Sequence, residues 1–120
     1  MRLLLVDDNA MTVELFVAAL EGDGHEVVVE RDGPSGRDRG LRERFDLLIL
    51  DVQLPGMDGY AVCRELRAAG VDGPIVALSS AAMTDQIARG AEAGFDEYLT
   101  KPISPAALRA AARRFNGRTR

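Results

Sequence analysis

The chain has little with which to bind a soft metal or cross-link itself: one cysteine, one histidine and no tryptophan in 120 residues. Cys63 alone cannot form an internal disulfide, which fits a reducing compartment and makes a cytoplasmic protein the expectation. Without a His/Cys cluster, a zinc centre is not expected. Basic charge is not in excess: 15 Lys and Arg face 19 Asp and Glu, a net charge of −4. Bulk electrostatics therefore favour neither nucleic acid nor an anionic membrane. No long apolar run is present. The first one, inside MRLLLVDDN, stops at two aspartates, so it is neither a signal peptide nor a membrane span. No Gly-x-Gly-x-x-Gly follows that run and no Walker sequence occurs, and two bare aspartates there would repel a pyrophosphate. No internal repeat or low-complexity stretch stands out.

What is present suits one soluble domain of ordinary size: 47% hydrophobic and 28% charged residues, enough to bury a core without staples. The expected domain covers residues 1–120, with a core of about 2–116 and a tail at 117–120. Apolar runs of strand length recur at Leu3–Val6, Val27–Val29, Leu47–Leu50, Ile75–Leu78 and Phe95–Leu99. Leu3–Val6 is continuous rather than alternating, as in a strand buried on both faces. The last run holds acidic residues and is placed nearer an edge. Between the runs, Val13, Phe16, Val17 and Leu20 have helical spacing, as do Val62, Leu66 and Ala69. Leu108, Ala111, Ala112 and Phe115 repeat it behind a Ser104-Pro105 start. Thr84 to Ala93 is alanine-rich and only modestly apolar. Ser35 to Glu43 is the least helical of these segments, because Gly36 and Gly40 lie inside it.

Strict alternation of strand and helix predicts right-handed βαβ units, hence an α/β fold with a parallel sheet between helices. In such sheets the functional crevice lies beyond the carboxyl ends of the strands. Asp7-Asp8, Asp51 and Ser79 end the first, third and fourth runs, and Lys101 lies just past the fifth. The second run offers nothing comparable and suits an edge, which gives the strand order 2-1-3-4-5.

Three carboxylates gathered at one point repel unless a cation holds them. Hard oxygen ligands of this kind prefer Mg²⁺, with Mn²⁺ as an alternative, and Mg²⁺ takes few protein carboxylates. A lone lysine beside them suggests that an anion also visits. Aspartate can attack phosphorus to form an acyl phosphate. Phosphoryl transfer needs positioning and charge neutralisation more than covalent help. Asp51 stands alone in the central run, ahead of the Pro55-Gly56-Met57-Asp58-Gly59 loop, and is the expected nucleophile.

The sequences Val6-Asp7-Asp8-Asn9, Leu50-Asp51-Val52-Gln53-Leu54-Pro55-Gly56-Met57-Asp58-Gly59, Ala77-Leu78-Ser79 and Tyr98-Leu99-Thr100-Lys101-Pro102 occur in order across nearly the whole chain. They resemble the response-regulator receiver domain of two-component signalling. The resemblance implies a flavodoxin-like (βα)5 three-layer sandwich. It implies that Asp51 accepts a phosphoryl group from a phosphohistidine on a sensor histidine kinase or histidine phosphotransfer protein. It implies Mg²⁺ on Asp8, Asp51 and the Gln53 backbone carbonyl, with Asp7 acting mainly through water. Lys101 would pair with the phosphoryl group, and the Lys101-Pro102 bond is often cis in the family. Ser79 and Tyr98 match the switch hydroxyl and switch aromatic. Once phosphorylated, the fourth helix, fifth strand and fifth helix would change shape and control a downstream protein. The chain would be a signalling domain that promotes its own phosphotransfer and dephosphorylation, not an enzyme. It would be a monomer that can dimerise on activation, with no direct contact to nucleic acid or membrane. A stand-alone receiver is the first expectation; the receiver of a hybrid histidine kinase or of a larger response regulator is the second.

Plainer roles stand beside these. Ser79 could be a capping hydroxyl, Tyr98 an ordinary core tyrosine and Cys63 a packing thiol. His25, after a Gly-Asp-Gly turn, is expected on the surface. Arg109, Arg113, Arg114, Arg118 and Arg120 suit a helix C-terminus, or a docking face for an acidic partner. A Mg²⁺-dependent aspartyl-phosphate phosphatase is the main rival, but its second acid would fall at Gln53, which cannot transfer a proton. Ser80 stands where the family commonly has alanine, and Gln53 and Ala81 occupy positions that influence hydrolysis in the family.

Overall fold

The computed structural model describes residues 1–80 and 84–115, and for 84–87 the backbone alone. Ten elements alternate along the chain: β1 Arg2–Val6, α1 Ala10–Gly22, β2 Glu26–Glu30, α2 Gly33–Arg42, β3 Leu47–Asp51, α3 Gly59–Ala68, β4 Ile75–Ser79, α4 Thr84–Ala93, β5 Glu97–Thr100 and α5 Pro105–Phe115. The five strands are parallel in the order β2-β1-β3-β4-β5, a flavodoxin-like sheet.

The continuous apolar runs supply two cores, because successive strand side chains point to opposite faces. Leu4, Val6, Leu48 and Leu50 face one side and pack with Val62, Cys63 and Leu66 of α3. Leu3, Leu5, Leu47 and Ile49 face the other and pack with Phe16 and Leu20 of α1 and Leu108 and Phe115 of α5. Both faces of β1, β3 and β4 are therefore buried, and polar groups can only appear where these strands end.

Side-chain caps fix where four helices begin, and at α5 Ser104 Oγ accepts from Ala107 N–H at 3.1 Å. Asn9, Asp32 and Asp58 each accept a hydrogen bond from the backbone N–H three residues on, at 2.8–2.9 Å. The glycines that weaken α2 on propensity alone have a packing role. A Cβ on Gly36 would lie 2.7 Å from Val6 Cγ2, and one on Gly40 would lie 3.0 Å from Leu66 Cδ2. Small residues let α2 approach the sheet and α3 closely, and that close approach outweighs the propensity penalty.

The structure corrects three sequence expectations. Phe95 is not in the fifth strand: its N–H bonds to Gly90 O and closes α4, and sheet pairing starts with Asp96 N–H to Ile75 O. The ring is buried in the core beside Tyr60. Ala69 is exposed at the C-cap of α3, and the buried stripe runs instead through Tyr60, Val62, Cys63 and Leu66. His25 is buried, not on the surface, and desolvation holds its imidazole pKa below the usual value. The proposed tail at 117–120 and Ala81 lie outside the described residues.

An arginine invisible to periodicity ties two loops together. Arg67 Nε donates to Gly94 O, one terminal nitrogen to Val71 O and Gly73 O, and the other to Asp96. Asp96 in turn accepts from Ile75 N–H, so this staple sets the start of both β4 and β5.

Candidate functional site

Strand register decides which chain ends meet. Val6 pairs with Leu50, so Asp7 and Asp51 leave their strands at the same level. Asp51 pairs with Leu78, and Ser79 with Thr100, so Ser79 and Lys101 follow at that level on the next two strands. Lys101 N–H donates to Ser79 O, and the Lys101-Pro102 bond is cis.

The side chains converge as the strand ends do. Asp7, Asp8 and Asp51 each offer a carboxylate oxygen, all within 4.8 Å of one another. Asp7 is wholly buried, Asp51 is 6% exposed and Asp8 is open to solvent. Lys101 Nζ donates to Asp7 Oδ2 at 3.0 Å and to Asp51 Oδ2 at 2.6 Å. The other oxygen of each buried acid is also held: Asp7 Oδ1 accepts from Asn9 N–H at 2.9 Å, and Asp51 Oδ1 from Gln53 N–H at 2.8 Å. Both carboxylates are thereby fixed by the backbone that follows them.

Burial pushes the Asp51 carboxyl above its usual pKa, and the nearby Asp7 charge adds to this. The bonds from Lys101 and from Gln53 N–H pull it partly back. Burial acts on Lys101 too, but its hydrogen bonds to Asp51 and Asp7 win, and its pKa is raised. Lys101 is therefore held as a cation at neutral pH. One positive charge among three carboxylates leaves the cluster negative, and Asp8 brings its oxygens to the open side. Hard oxygen donors with unbalanced charge fit a divalent ion such as Mg²⁺.

A cleft of about 300 Å³ opens above these groups, lined by Asp8, Asn9, Asp51, Gln53, Ser80 and Lys101. It has room for a phosphoryl group. Ser79 itself is buried, 2% exposed, at the end of β4, while Ser80 is exposed and lines the cleft. The loop after Asp51 is seated tightly: a Cβ on Gly59 would lie 2.3 Å from Asp51 O, and Gly59 N–H donates to Val52 O.

Tyr98 is not among the cleft-lining residues. It sits half-buried on the α4 side, with its ring against Gly90 and its hydroxyl 3.3 Å from that of Tyr60. Cys63 is buried on the core-facing side of α3 and desolvation pushes its thiol up to about 11, which suits packing and not chemistry. Arg113 pairs with Asp23 and Arg114 with Glu97, so these two arginines meet acids of the chain itself. Arg118 and Arg120 lie outside the described residues.

Two contributors escaped the sequence reading. Asn9 orients Asp7 through its backbone and caps α1 through its side chain. An Asx residue just before a helical stripe was the available signal. Arg89 lies 4.3 Å over the Tyr60 ring and 3.6 Å from Asp58, an arrangement no local pattern announces.

The family model described as the response regulator receiver domain matches residues 3–113. The DNA-binding response regulator MtrA of Mycobacterium tuberculosis (strain ATCC 25618 / H37Rv) is 42% identical over 113 residues, 93% of this chain and 49% of that protein. The response regulator MprA of Mycobacterium leprae (strain TN) is 38% identical over 120 residues, 100% of this chain and 53% of that protein. The chain thus spans about half the length of these curated relatives. Among solved structures, the receiver domain of sensor histidine kinase PA1611 from Pseudomonas aeruginosa PAO1 superposes with a TM-score of 0.89 at 34% identity, covering 98% of both chains. That structure has a magnesium ion coordinated in its active-site cleft. No helix among the described residues is long and apolar enough to cross a membrane.

Proposed function

Because this chain belongs to the response regulator receiver domain family, we propose that Asp51 accepts a phosphoryl group from a phosphohistidine and that residues 1–120 act as one receiver. The observation that carries this reading is the bridge of Lys101 Nζ between Asp7 and Asp51, inside a cleft where three carboxylates meet.

The acceptor chemistry follows from those contacts. A carboxylate oxygen of Asp51 attacks phosphorus as the P–N bond to the donor imidazole breaks. The electron pair leaves on the imidazole nitrogen, which takes up a proton, and an acyl phosphate remains. Lys101 lies on the very oxygen that would carry the new bond or its neighbour, so it can turn from the carboxylate to a phosphoryl oxygen without leaving Asp7. Asp7 has no exposure and keeps the lysine in place. Asp8, Asp51 and the Gln53 backbone carbonyl would hold Mg²⁺ directly and Asp7 through water, with Mn²⁺ able to replace it. That ion supplies charge neutralisation for the phosphoryl oxygens. Gln53 offers a side chain that cannot shuttle a proton, which argues against a dedicated phosphatase. Hydrolysis of the acyl phosphate then limits the lifetime of the signal.

The phosphoryl group adds roughly −1.5 to −2 charge where one carboxylate stood. Ser79, at the end of β4, is placed to be drawn toward it, and Tyr98 two strands' width away on β5 would settle further inward. The surface of α4, β5 and α5 would change with them and meet a downstream protein. The expected partners are a sensor histidine kinase or histidine phosphotransfer protein on one side and that target on the other. A second reading, a receiver working inside a longer regulator, is favoured by the length of MtrA and MprA. Any contact with DNA would then belong to the longer protein.

Incubation with acetyl phosphate and Mg²⁺, followed by intact mass, tests this. The wild type gains one hydroxylamine-labile phosphate, and Asp51→Asn gains none. A wild type that gains nothing with Mg²⁺, or an asparagine variant that still does, overturns the assignment.

A further inference from the structure

Tyr60 does not line the phosphoryl cleft, yet it follows the acceptor loop in the chain and meets Tyr98. It follows Gly59 in the first turn of α3, and the Gly59 backbone is pressed against Asp51 O, so its position follows the acceptor loop. Its ring is 4% exposed and held on two sides, edge-on to Phe95 at 6.0 Å and beneath the Arg89 guanidinium at 4.3 Å. Arg89 is itself anchored to Asp58, the N-cap of α3, at 3.6 Å. From this fixed ring the hydroxyl reaches the Tyr98 hydroxyl at 3.3 Å. Tyr98 is seated from the other side by Gly90 of α4, where a Cβ would come within 3.1 Å of its ring.

We propose that the Tyr60 hydroxyl is a latch that holds the Tyr98 ring in its inward, half-buried position before any phosphoryl group arrives. The inference rests on the receiver reading only where it gives Tyr98 a signalling role. The latch itself is a claim about two side chains. Arg89 and Phe95 hold the Tyr60 ring in place, so the hydroxyl pair ties Tyr98 to α3. Arg89 and Gly90 are neighbours on α4, so the same contacts tie that helix to the start of α3. A latch of this kind sets how far the α4 and β5 surface is biased in the resting protein. The raised pKa of Tyr60, up to about 12 through burial and then its bond to Tyr98, keeps its hydroxyl protonated throughout the physiological range.

A net neutral hydrogen bond changes a two-state population by roughly two- to twelve-fold. The chain has two tyrosines and no tryptophan, so ring-labelled tyrosine gives an NMR spectrum of two side chains, assigned through Tyr98→Phe. In the wild type, an NOE between the two tyrosine rings and one from Tyr98 to Gly90 are expected. In Tyr60→Phe, which keeps the ring for Arg89 and Phe95, the Tyr98 to Gly90 NOE weakens at least two-fold and the Tyr98 ring shifts move toward exposed values. Unchanged Tyr98 signals in that variant overturn the latch. So does a wild type without an NOE between the rings, a result that stands even if the variant does not fold. Beryllium fluoride with Mg²⁺, added to wild type and Asp51→Asn, separates the two ideas. If Tyr98 responds to Tyr60→Phe but not to beryllium fluoride, the latch holds and the switch role of Tyr98 falls.

Discussion

Lys101 Nζ donates a 2.6 Å hydrogen bond to Asp51 Oδ2 while also holding Asp7, which has no solvent exposure. Lys101 is thus part of the resting site's stability as well as its chemistry. Its removal leaves two buried carboxylates facing each other without a cation. Lys101→Ala is expected to lose about 2 kcal/mol in a divalent-free urea melt, less than a fully buried pair would lose because the lysine keeps some solvent contact. Added Mg²⁺ should recover part of the loss. Equal midpoints for variant and wild type without Mg²⁺ would show that the bridge carries no energy.

Arg67 spends its donors on Gly94 O, Val71 O, Gly73 O and Asp96, far from the phosphoryl site. A lysine keeps the charge but cannot reproduce the planar fork. Arg67→Lys is therefore expected to destabilise by about 2 kcal/mol, seen as a lower urea midpoint with an unchanged slope. Phosphorylation by acetyl phosphate should continue. A lysine variant as stable as the wild type would reduce the staple to a charge effect.

Gly36 provides a test of sign. Intrinsic propensity predicts that Gly36→Ala stabilises α2 by about 1 kcal/mol. The added methyl would meet Val6 Cγ2 at 2.7 Å, and Val6 is a stiff side chain directly before Asp7. Overpacking of this kind costs about 1–3 kcal/mol, so the net change should be destabilising. A higher melting temperature for the alanine variant would mean that α2 can move away from β1.

The Cys63 thiol is pushed from 9.0 to about 11 by burial. A raised pKa means that the folded state keeps the proton longer. Its contribution to stability is full below the unfolded value and is lost as pH rises from about 9 to about 11. Wild-type unfolding free energy should fall across that window relative to Cys63→Ala. At pH 8 the native thiolate fraction is lowered about 100-fold, so a disulfide reagent should react at least that much more slowly than in urea. Rapid labelling of the native protein would place Cys63 on a mobile or open surface.

Much of this protein is legible without coordinates, and for a physical reason. Short continuous runs such as Leu3–Val6 and Leu47–Leu50, alternating with helix-length segments, suit strands buried on both faces, and polar residues then collect where the strands end. Asp7, Asp8, Asp51, Ser79 and Lys101 are readable for that reason, since each sits at or just past a run and parallel order brings those ends together. What local pattern cannot hold is anything set by approach across the chain. The tolerance of α2 for Gly36 depends on Val6, the burial of His25 and Phe95 depends on packing between elements, and the Arg67 staple joins groups scattered from Val71 to Asp96. Tyr60 is the clearest case. In sequence it is one more residue after a glycine; in the fold its hydroxyl meets that of Tyr98, 38 positions away. Periodicity encodes which face of an element is buried, so the sequence alone determined the sheet, its order and the acidic mouth. Distances between side chains on different elements are fixed only when the layers pack, so the tertiary structure alone decided which hydroxyl, guanidinium and ring stand together behind that mouth.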